Sequence, residues 1–477
     1  MVEFPVGSEA AIDAEAHQAV RSFVGWLDAF GEWSQDPYDF WASVGARAKT
    51  LYYRRRLLGK VAAAPFVMVD VVAPRTRALV RPRDRFPIAD AHYAMGFFAL
   101  ARAEDDPRHI RRGRAFLDAL ERSRSPLFED PAWGYPFDWP TRYGVYRAGW
   151  PLITSTPYGY EAFEAGHAAV GDLAYAEMMQ GVARFAAERI PVTPVGPGSE
   201  AAAYTPFDRR QVVNASAYRG FLLTAGGRRF EREDWLGAAR RNVAYVLQSQ
   251  RDDGSWPYST DGPDDFVDNF HTCFVLKNLF KIWALTGDDA VREAIGAGYE
   301  FYLDRLLDET GRPIPFARRP RLTLHRRDLY DYAEGINLAH LLRGELPAAR
   351  GVLETLVRDL IDRWMLPDGH FVTREMVVGR NTIPYHRWAQ AQTFHALVRV
   401  TAADGTVATL APEGYLLDGA SVPPRLVAAA PPWPRPGLVA QGIEIAFTAG
   451  YGNAASAVPP PIRQALLLLV AHWYEHR

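Results

Sequence analysis

The sequence predicts a mainly helical protein, an (α/α)6 toroid built from helical hairpins, with a small β-containing C-terminal appendage that ends in one helix. Three observations favour this fold. Helical runs that are apolar nearly all round alternate with runs that carry a charged stripe, the apolar runs begin about 55 to 70 residues apart, and turn-rich segments precede most of them. A helix that is apolar all round requires burial on every side, whereas a striped helix covers it from outside.

Six runs are expected to form the inner ring, because each is apolar over most of its circumference. They lie at residues 92–103, 160–171, 215–227, 272–287, 332–344 and 387–400. Amphipathic partners follow the first five of them, at residues 108–123, 174–190, 232–250, 289–307 and 348–364. No sixth partner follows residue 400, so we expect the N-terminal helix at residues 11–30 to close the ring.

Turn-rich segments follow most outer helices and come directly before inner ones. They read FEDPAWGYPFDW (128–139), QRDDGSWPYS (250–259), DETGRPIPF (308–316) and LPDGHFVTR (366–374). Their Asp-Gly and Thr-Gly dipeptides indicate tight turns, and their aromatic residues favour short strands. We therefore expect these segments to crowd one face of the ring.

The last part of the chain has a different character. From residue 401 the sequence is Pro-rich and β-like, and it ends in one amphipathic helix, PPIRQALLLLVAHWYEHR. We predict a toroid domain at residues 1–400 and a small accessory or fused region at residues 401–477, with short strands and a terminal helix.

Composition excludes several classes of function. The net charge of -2 gives no reason to expect nucleic acid or an acidic membrane surface as the main partner. The single cysteine, Cys273, excludes a disulfide framework and metal sites built on several thiolates, and we expect neither a metal nor a cofactor. The longest apolar runs are too short to span a bilayer, and the acidic N-terminus lacks a signal pattern, so a cytoplasmic location is expected.

Parts of the sequence resemble known proteins. The run YVLQSQRDDGSWPY (245–258) resembles a Q-x-x-x-D-G-x-W turn found in α/α toroids, from terpene cyclases to six-hairpin glycosidases. Residues 36 to about 400 are similar to a family of proteins from bacterial exopolysaccharide biosynthesis clusters. The segments that carry this likeness are 36–60, 85–98, 133–142, 154–163 and 253–279. The resemblance implies a toroid in a polysaccharide pathway, with a glycan as substrate and the biosynthesis machinery as a partner.

The tail resembles a different class of protein. GIEIAFTAGYG (442–452) and VPPPIRQALLLLVAHWYEHR (458–477) are similar to the C-terminal part of phage or gene-transfer-agent head–tail connector (adaptor) proteins. Those proteins begin with helices of their own, which are absent here. The resemblance therefore implies a fused or accessory segment.

The starts of the inner helices are the predicted site. Six helix N-termini that face one opening produce a positive potential, which suits a carboxylate-bearing ligand such as a uronate. Each start also carries more polar residues than a helix cap needs, although Asp90, Asn214 and Asp268 are also ordinary capping residues. We predict ligand contacts from Asp90, His92, Trp139, Tyr158, Asn214, Tyr218, Trp256, Asp264, Asp265, Asn269, Asp331 and Arg387. The candidate catalytic residues are Tyr160, His271, Glu161, Asp268, Glu334 and His386.

These residue types allow three functions on a glycan. A uronate lyase or C5-epimerase abstracts the C5 proton with Tyr or His while Asn, His or Arg neutralises the carboxylate. A glycoside hydrolase needs two carboxyl groups instead, and a glycan-binding or scaffold protein needs neither. DDFVD (264–268) also matches the D-D-x-x-D diphosphate motif of prenyl-transfer enzymes, but it follows Gly262-Pro263 at a helix entrance and has no second acidic cluster. The sequence favours a carbohydrate-active protein, most simply an enzyme, and leaves the reaction open.

Overall fold

The computed structural model describes residues 9–319, 323–401, 415–418, 425–428 and 464. Its α-helices over residues 9–401 are numbered here in chain order. They are α1 (Glu9–Phe30), α2 (Ala46–Arg54), α3 (Arg56–Val72), α4 (Pro87–Glu104), α5 (Pro107–Arg122), α6 (Thr156–Val170), α7 (Leu173–Glu188), α8 (Val213–Arg229), α9 (Glu233–Gln248), α10 (Asn269–Thr286), α11 (Asp289–Arg305), α12 (Leu329–Leu342), α13 (Pro347–Asp359) and α14 (Ala391–Thr401).

Inner and outer helices differ in burial as the sequence predicts. In the inner helix α4, every residue from Pro87 to Ala101 is buried, and α8 and α12 are buried over nearly their whole length. In the outer helix α5 the buried residues form one stripe that includes Phe116 and Leu120. Apolar burial of the inner helices on all sides is the main stabilising term of this architecture. The predicted (α/α)6 toroid is confirmed.

The ring is closed where its two ends meet. Helix α14 packs against α4, and α1 packs against α14, with the Phe23 and Phe394 rings 5.4 Å apart. The turn after α9 places Gly254 against the backbone of Ala297 in α11, the next outer helix. The turn after α13 places Gly369 against Ser22 of α1 in the same manner. The N-terminal helix therefore occupies the sixth outer position.

Short strands lie between the outer and inner helices. They are β1 (Trp139–Thr141), β2 (Gly144–Tyr146), β3 (Val192–Gly196), β4 (Ser199–Ala202), β5 (Val267–Asp268), β6 (Phe316–Arg318), β7 (His325–Asp328), β8 (Arg374–Met376) and β9 (Arg380–Asn381). All pairs are antiparallel: β1–β2, β3–β4, β5–β6 and the three-stranded β7–β8–β9. Strands β5 and β7 lead without a gap into α10 and α12, so the strands lie at the inner-helix N-termini.

One helical pair was not part of the predicted repeat. Helices α2 and α3 form an additional hairpin between α1 and α4, followed by a short 3-10 helix, Pro74–Leu79. Arg77 anchors this segment, because its buried guanidinium binds Asp70 of α3 and donates to the carbonyl oxygen of Asp36 at 2.7 Å. The guanidinium also lies 4.8 Å from the centre of the Tyr385 ring.

The chain divides into two compact units, Met1–Thr406 and Val407–Arg477. In the second unit, the strands Tyr415–Asp418 and Arg425–Ala428 form an antiparallel hairpin. Apart from Gln464, the predicted terminal helix lies outside the described residues, as do the segments that resemble connector proteins. None of the helices in the described part of the chain is long and apolar enough to cross a bilayer.

Candidate active site

Aromatic contacts join the first turns of successive inner helices. The ring centres are 4.6 Å apart for His92 of α4 and Tyr158 of α6, and 5.7 Å apart for Tyr158 and Tyr218 of α8. From Tyr218 the contacts continue to Phe274 of α10 at 5.5 Å and on to Tyr330 of α12 at 6.0 Å. Because these residues lie near the N-terminal ends of their helices, those ends lie on the same side of the ring.

A run of eight rings, called here the aromatic circuit, follows the opening on this side. Successive ring centres are 4.3 to 6.2 Å apart. In order, the members are Tyr146, Trp139, Tyr38, Trp388, Tyr330, Phe270, His271 and Tyr258. All but Tyr330 are half-buried, so packing fixes the rings while part of each surface stays open. Rigid aromatic surfaces with few convergent polar groups are typical of small-molecule and sugar sites.

An unusual backbone conformation positions Trp388 in the aromatic circuit. Its φ of 55° and ψ of 46° lie in the left-handed region, which is strained for a bulky residue. Beneath the indole, at 3.7 Å from its ring centre, lies the buried guanidinium of Arg387. Arg387 donates two hydrogen bonds of 2.6 Å to Asp36, which raises the pKa of the guanidinium although burial opposes its charge. The charge of Arg387 is therefore already balanced by Asp36, and the side chain is fully buried.

His271 and Asp268 form a hydrogen-bonded pair beside the circuit. Asp268 ends β5 and caps α10 by accepting from the backbone N–H of His271 at 3.0 Å. The same carboxylate lies 2.7 Å from Nδ1 of the imidazole. Because an ionised carboxylate only accepts, Nδ1 is the donor in this pair, and in the neutral form of the imidazole Nε2 then carries the lone pair. In the described part of the chain Nε2 has no hydrogen-bond partner, and the side chain is 21% exposed.

Two further carboxyl groups lie on α12 in the same region. Asp331 is fully buried and neither of its oxygens has a hydrogen-bond partner among the described residues. Burial, and then the charges of Asp328 and Asp268, raise the pKa of Asp331 well above its ordinary value. Glu334 is also fully buried and is bound by Lys277 of α10. The site therefore holds one carboxyl group that keeps its proton and one that is ion-paired.

A hydroxyl pair completes the central part of the site. The hydroxyl oxygens of Tyr158 and Tyr218 are 2.6 Å apart, and both side chains are buried. Burial raises the pKa of both phenols well above the ordinary value, and the negative charge of Glu334 adds to this effect. Both phenols therefore keep their protons at neutral pH.

Other candidate catalytic residues are engaged elsewhere. Tyr160 is fully buried, and burial raises the pKa of its phenol, which does not favour its role as a base. His386 lies 2.7 Å from the Tyr93 hydroxyl, and burial lowers its pKa to about 3. Glu161 is paired with Lys281 on the next but one inner helix. Among the described residues, none of these three groups forms a hydrogen bond, ion pair or ring contact with His271.

Two predicted ligand contacts serve the fold. Nε1 of Trp256 donates to the carbonyl oxygen of Val246 at 2.9 Å, and the indole is buried, so the tryptophan fixes the turn after α9. The Asn269 amide donates to the carbonyl oxygens of Leu306 at 2.9 Å and Ile314 at 3.2 Å. Trp256 therefore holds the turn to α9, and Asn269 holds the segment after α11 to α10.

Three predicted contacts on α4 and α8 are buried beside the opening. Asp90 accepts from Nε of Arg85 at 2.9 and 3.0 Å, and burial raises the pKa of this carboxyl to about 7. Nδ1 of His92 lies 3.1 Å from Nδ1 of His395, and burial lowers the pKa of both imidazoles. The Asn214 amide is buried, and neither of its polar atoms has a partner among the described residues.

The acidic run before α10 forms ion pairs on the rim. Asp264 accepts from the Tyr143 hydroxyl at 2.6 Å and lies 3.0 Å from the Arg142 guanidinium. Asp265 is exposed and binds Arg318 at 2.7 Å. These pairs lie on the strands and loops of the rim, and each carboxylate already has a cationic partner.

Sequence reasoning missed Tyr38, Tyr258, Phe270, Trp388 and Lys277. Of these, Lys277 carried a usable signal, because it is a cation within an otherwise apolar helical run and so needs a buried partner. Half-buried aromatic residues carry no such signal, since buried core rings have the same local pattern.

Comparisons with known proteins give similarity at the level of structure. No family model and no curated protein matches the chain. A heparin-specific unsaturated glucuronyl hydrolase aligns with a TM-score of 0.56 and 12% identity, over 82% of this chain and 97% of the other. The unsaturated glucuronyl hydrolase of Streptococcus agalactiae aligns with a TM-score of 0.52 and 11% identity, over 83% and 93%.

A cellobiose 2-epimerase from Bacillus thermoamylovorans is also similar, with a TM-score of 0.54 and 9% identity, over 66% of this chain and 87% of the other. The resemblances to exopolysaccharide-cluster proteins and to head–tail connectors remain predictions. At these identities the comparisons establish the architecture, and the chain has the α/α-toroid fold of the glucuronyl hydrolases and the epimerase.

Proposed function

We propose that this protein is a carbohydrate-active enzyme that binds a uronate-containing oligosaccharide at the aromatic circuit and transfers a proton through His271. The observation that carries the proposal is the Asp268–His271 pair, because the carboxylate binds Nδ1 and so orients the imidazole with Nε2 accessible among half-buried rings. The likeness to enzymes that act on glucuronyl sugars and on cellobiose supports the substrate class.

The proposed chemistry is proton abstraction next to the uronate carboxyl group. Nε2 of His271 accepts the C5 proton, and Asp268 stabilises the imidazolium that forms. In an elimination, the C5–H pair becomes the C4=C5 double bond, the C4–O bond breaks, and the departing oxygen takes a proton from a neutral acid. Tyr158, Tyr218 and Asp331 hold such protons. Positive potential from the inner-helix N-termini favours the carboxylate of the substrate.

Hydrolysis of a glycosidic bond is the second candidate. The specific observation in its favour is Asp331, whose raised pKa keeps a proton on a carboxyl group near the charge of Asp268. Hydrolysis needs such a neutral acid together with a second carboxylate that assists water or attacks carbon. The glucuronyl hydrolases among the similar structures make this reaction the natural alternative.

One experiment separates these reactions. The protein is incubated in D2O with a panel of glucuronate- and galacturonate-containing oligosaccharides, with and without a terminal unsaturated uronate. New ultraviolet absorbance of a C=C bond conjugated to the carboxylate indicates elimination, and deuterium at C5 indicates epimerisation. New reducing ends without that absorbance, or its loss from an unsaturated substrate, indicate hydrolysis.

Two histidine variants test the assignment within the same assay. His271→Gln is expected to lower turnover by about 10²-fold or more, since it removes the proton-transfer group. His167→Gln, at a histidine near the C-terminal end of α6, is the matched control and is expected to leave turnover unchanged. Saturable binding without turnover would replace the proposal with a glycan-binding function. Neither binding nor turnover with any acidic glycan would overturn it.

A further inference from the structure

Helix α3 presents an apolar face to solvent. The exposed fractions are 79% for Leu57, 76% for Val61, 67% for Met68 and 76% for Val72. At 3.6 residues per turn, eight positions fall within one arc of roughly 140°. These positions are 57, 58, 61, 64, 65, 68, 69 and 72, and all are apolar. Continuous apolar patches of this kind mark interaction sites on soluble proteins.

The opposite side of α3 is fixed to the protein. Asp70 binds the buried guanidinium of Arg77, and Gly59 lies so close to the backbone of Tyr52 that a Cβ there would sit 2.0 Å from its Cα. The helix is therefore held in this orientation by polar and close-packed contacts on its inner side. Its apolar face remains open in a helix that is already positioned.

Positive charge is concentrated near the N-terminal end of this face. Five exposed cations belong to α2, α3 and the residue between them: Arg47, Arg54, Arg55, Arg56 and Lys60. No carboxylate in the described part of the chain lies within salt-bridge distance of any of the five. The one acidic residue in the segment 46–72 is Asp70, which Arg77 neutralises. The net charge of -2 for the whole chain conceals this local excess of cations.

We propose that α3 docks on the surface of an anionic lipid bilayer. The apolar arc enters the boundary between headgroups and acyl chains, and the flanking arginines and Lys60 bind lipid phosphates. A bilayer surface satisfies both parts of this pattern at once. A second copy of the chain would match the apolar arc, but the same segment of that copy offers the five cations no free carboxylate. The docking is independent of the catalytic proposal and would hold the enzyme at a membrane.

Vesicle flotation with the full chain tests the proposal. Vesicles of phosphatidylcholine alone are compared with vesicles in which a third of the lipid is phosphatidylglycerol. We expect binding to the anionic vesicles that weakens as salt is added, and little binding to the neutral ones. Equal binding to both, or binding to neither, would overturn the proposal.

Variants identify the surface. Val61→Glu and Met68→Glu, at two points of the apolar arc, are each expected to abolish binding to anionic vesicles. Leu173→Glu is the matched control, since this residue is 73% exposed on the outer helix α7. Both test variants lie on the surface, and an unchanged unfolding temperature confirms that they fold. Retained binding in both variants would overturn the assignment of the face.

A second pair of variants tests the charges. Arg55→Gln/Arg56→Gln is expected to weaken vesicle binding roughly thirtyfold, from about 1 kcal/mol for each cation near the surface. Arg111→Gln/Arg114→Gln removes two exposed cations from α5 and is expected to have no effect. Equal effects of the two pairs would contradict the role of the α2–α3 cations. A dimer in light scattering that Val61→Glu dissociates would show that a second copy covers the face and would also overturn the proposal.

Discussion

Replacing Asp268 with Asn is expected to move the proton of the neutral His271 imidazole from Nδ1 to Nε2 without unfolding α10. The Asn side-chain oxygen still accepts from the backbone N–H of residue 271, now bound at 3.0 Å, and Asp and Asn are nearly equivalent as N-caps. In the parent protein the Asp268 carboxylate accepts from Nδ1 of the imidazole at 2.7 Å. In the variant the Asn amide nitrogen donates to Nδ1 instead. The proton is then held on Nε2, which loses its capacity to act as a base.

The size of this effect follows from the hydrogen bond that is lost. A hydrogen bond to a charged group contributes about 1.5–3 kcal/mol, so the carboxylate favours the Nδ1–H tautomer of His271 by about 10- to 150-fold. Asp268→Asn removes that preference, and turnover on an active glycan is expected to fall by about 10²-fold or more. The free energy of unfolding is expected to change by less than about 1 kcal/mol.

Nitrogen NMR with histidine-selective ¹⁵N labelling measures the tautomer directly and needs no substrate. Because the chain has 12 histidines, the His271 signals are assigned by their absence in His271→Gln. At a pH where the imidazole is neutral, the parent protein is expected to show a protonated Nδ1, and Asp268→Asn a protonated Nε2. A parent protein with the proton on Nε2, or a tautomer that Asp268→Asn leaves unchanged, would refute the proposed role of the pair.

Three further predictions concern stability. Asp331→Asn is expected to raise the unfolding temperature at pH 7, because burial raises the pKa of this carboxyl and the unfolded chain is stabilised by releasing its proton. The gain should vanish as pH falls below the ordinary carboxyl pKa, and a variant less stable than the parent at every pH would refute it. Gly369→Ala and Gly379→Ala both place Ala at a positive φ, of 101° and 77° respectively. This backbone strain is expected to lower the free energy of unfolding by about 1 kcal/mol in each variant. At Gly369, but not at Gly379, the added Cβ would also lie 2.3 Å from the backbone oxygen of Ser22 in α1. Gly369→Ala is therefore expected to lose more unfolding free energy in denaturant than Gly379→Ala, and equal losses would contradict the close approach to α1. Lys277→Met is expected to cost about 3–5 kcal/mol by leaving Glu334 unpaired, and a second change, Glu334→Gln, should restore most of it. If the double variant is no more stable than Lys277→Met alone, the unpaired charge of Glu334 is not the cause of the lost stability.

The fold could be predicted because its determinants are local in sequence. A helix such as α4, apolar on every side, has few ways to be buried, and a ring of such helices is one of them. The Asp-Gly turns at Gly254 and Gly369 repeat because each must approach the next outer helix closely. The α2–α3 hairpin was missed because it does not belong to that repeat.

The site was predictable only in part, because partner choice is not local. Asp268 and His271 are three residues apart, so their pairing is a property of one helix start. Arg387 instead pairs with Asp36, 351 residues away, and His386 with Tyr93, 293 residues away. Both residues looked available for a ligand until the fold supplied these partners.

A crystal structure of His271→Gln soaked with a uronate-containing oligosaccharide would show where the substrate binds. We expect a sugar ring in the aromatic circuit, against Trp139 or Trp388. We also expect that the carbon bearing the uronate carboxyl lies about 3–3.5 Å from the side chain of residue 271, since that is the separation of groups that react. A sugar bound outside this opening, or an opening that stays empty at saturating ligand, would contradict the account.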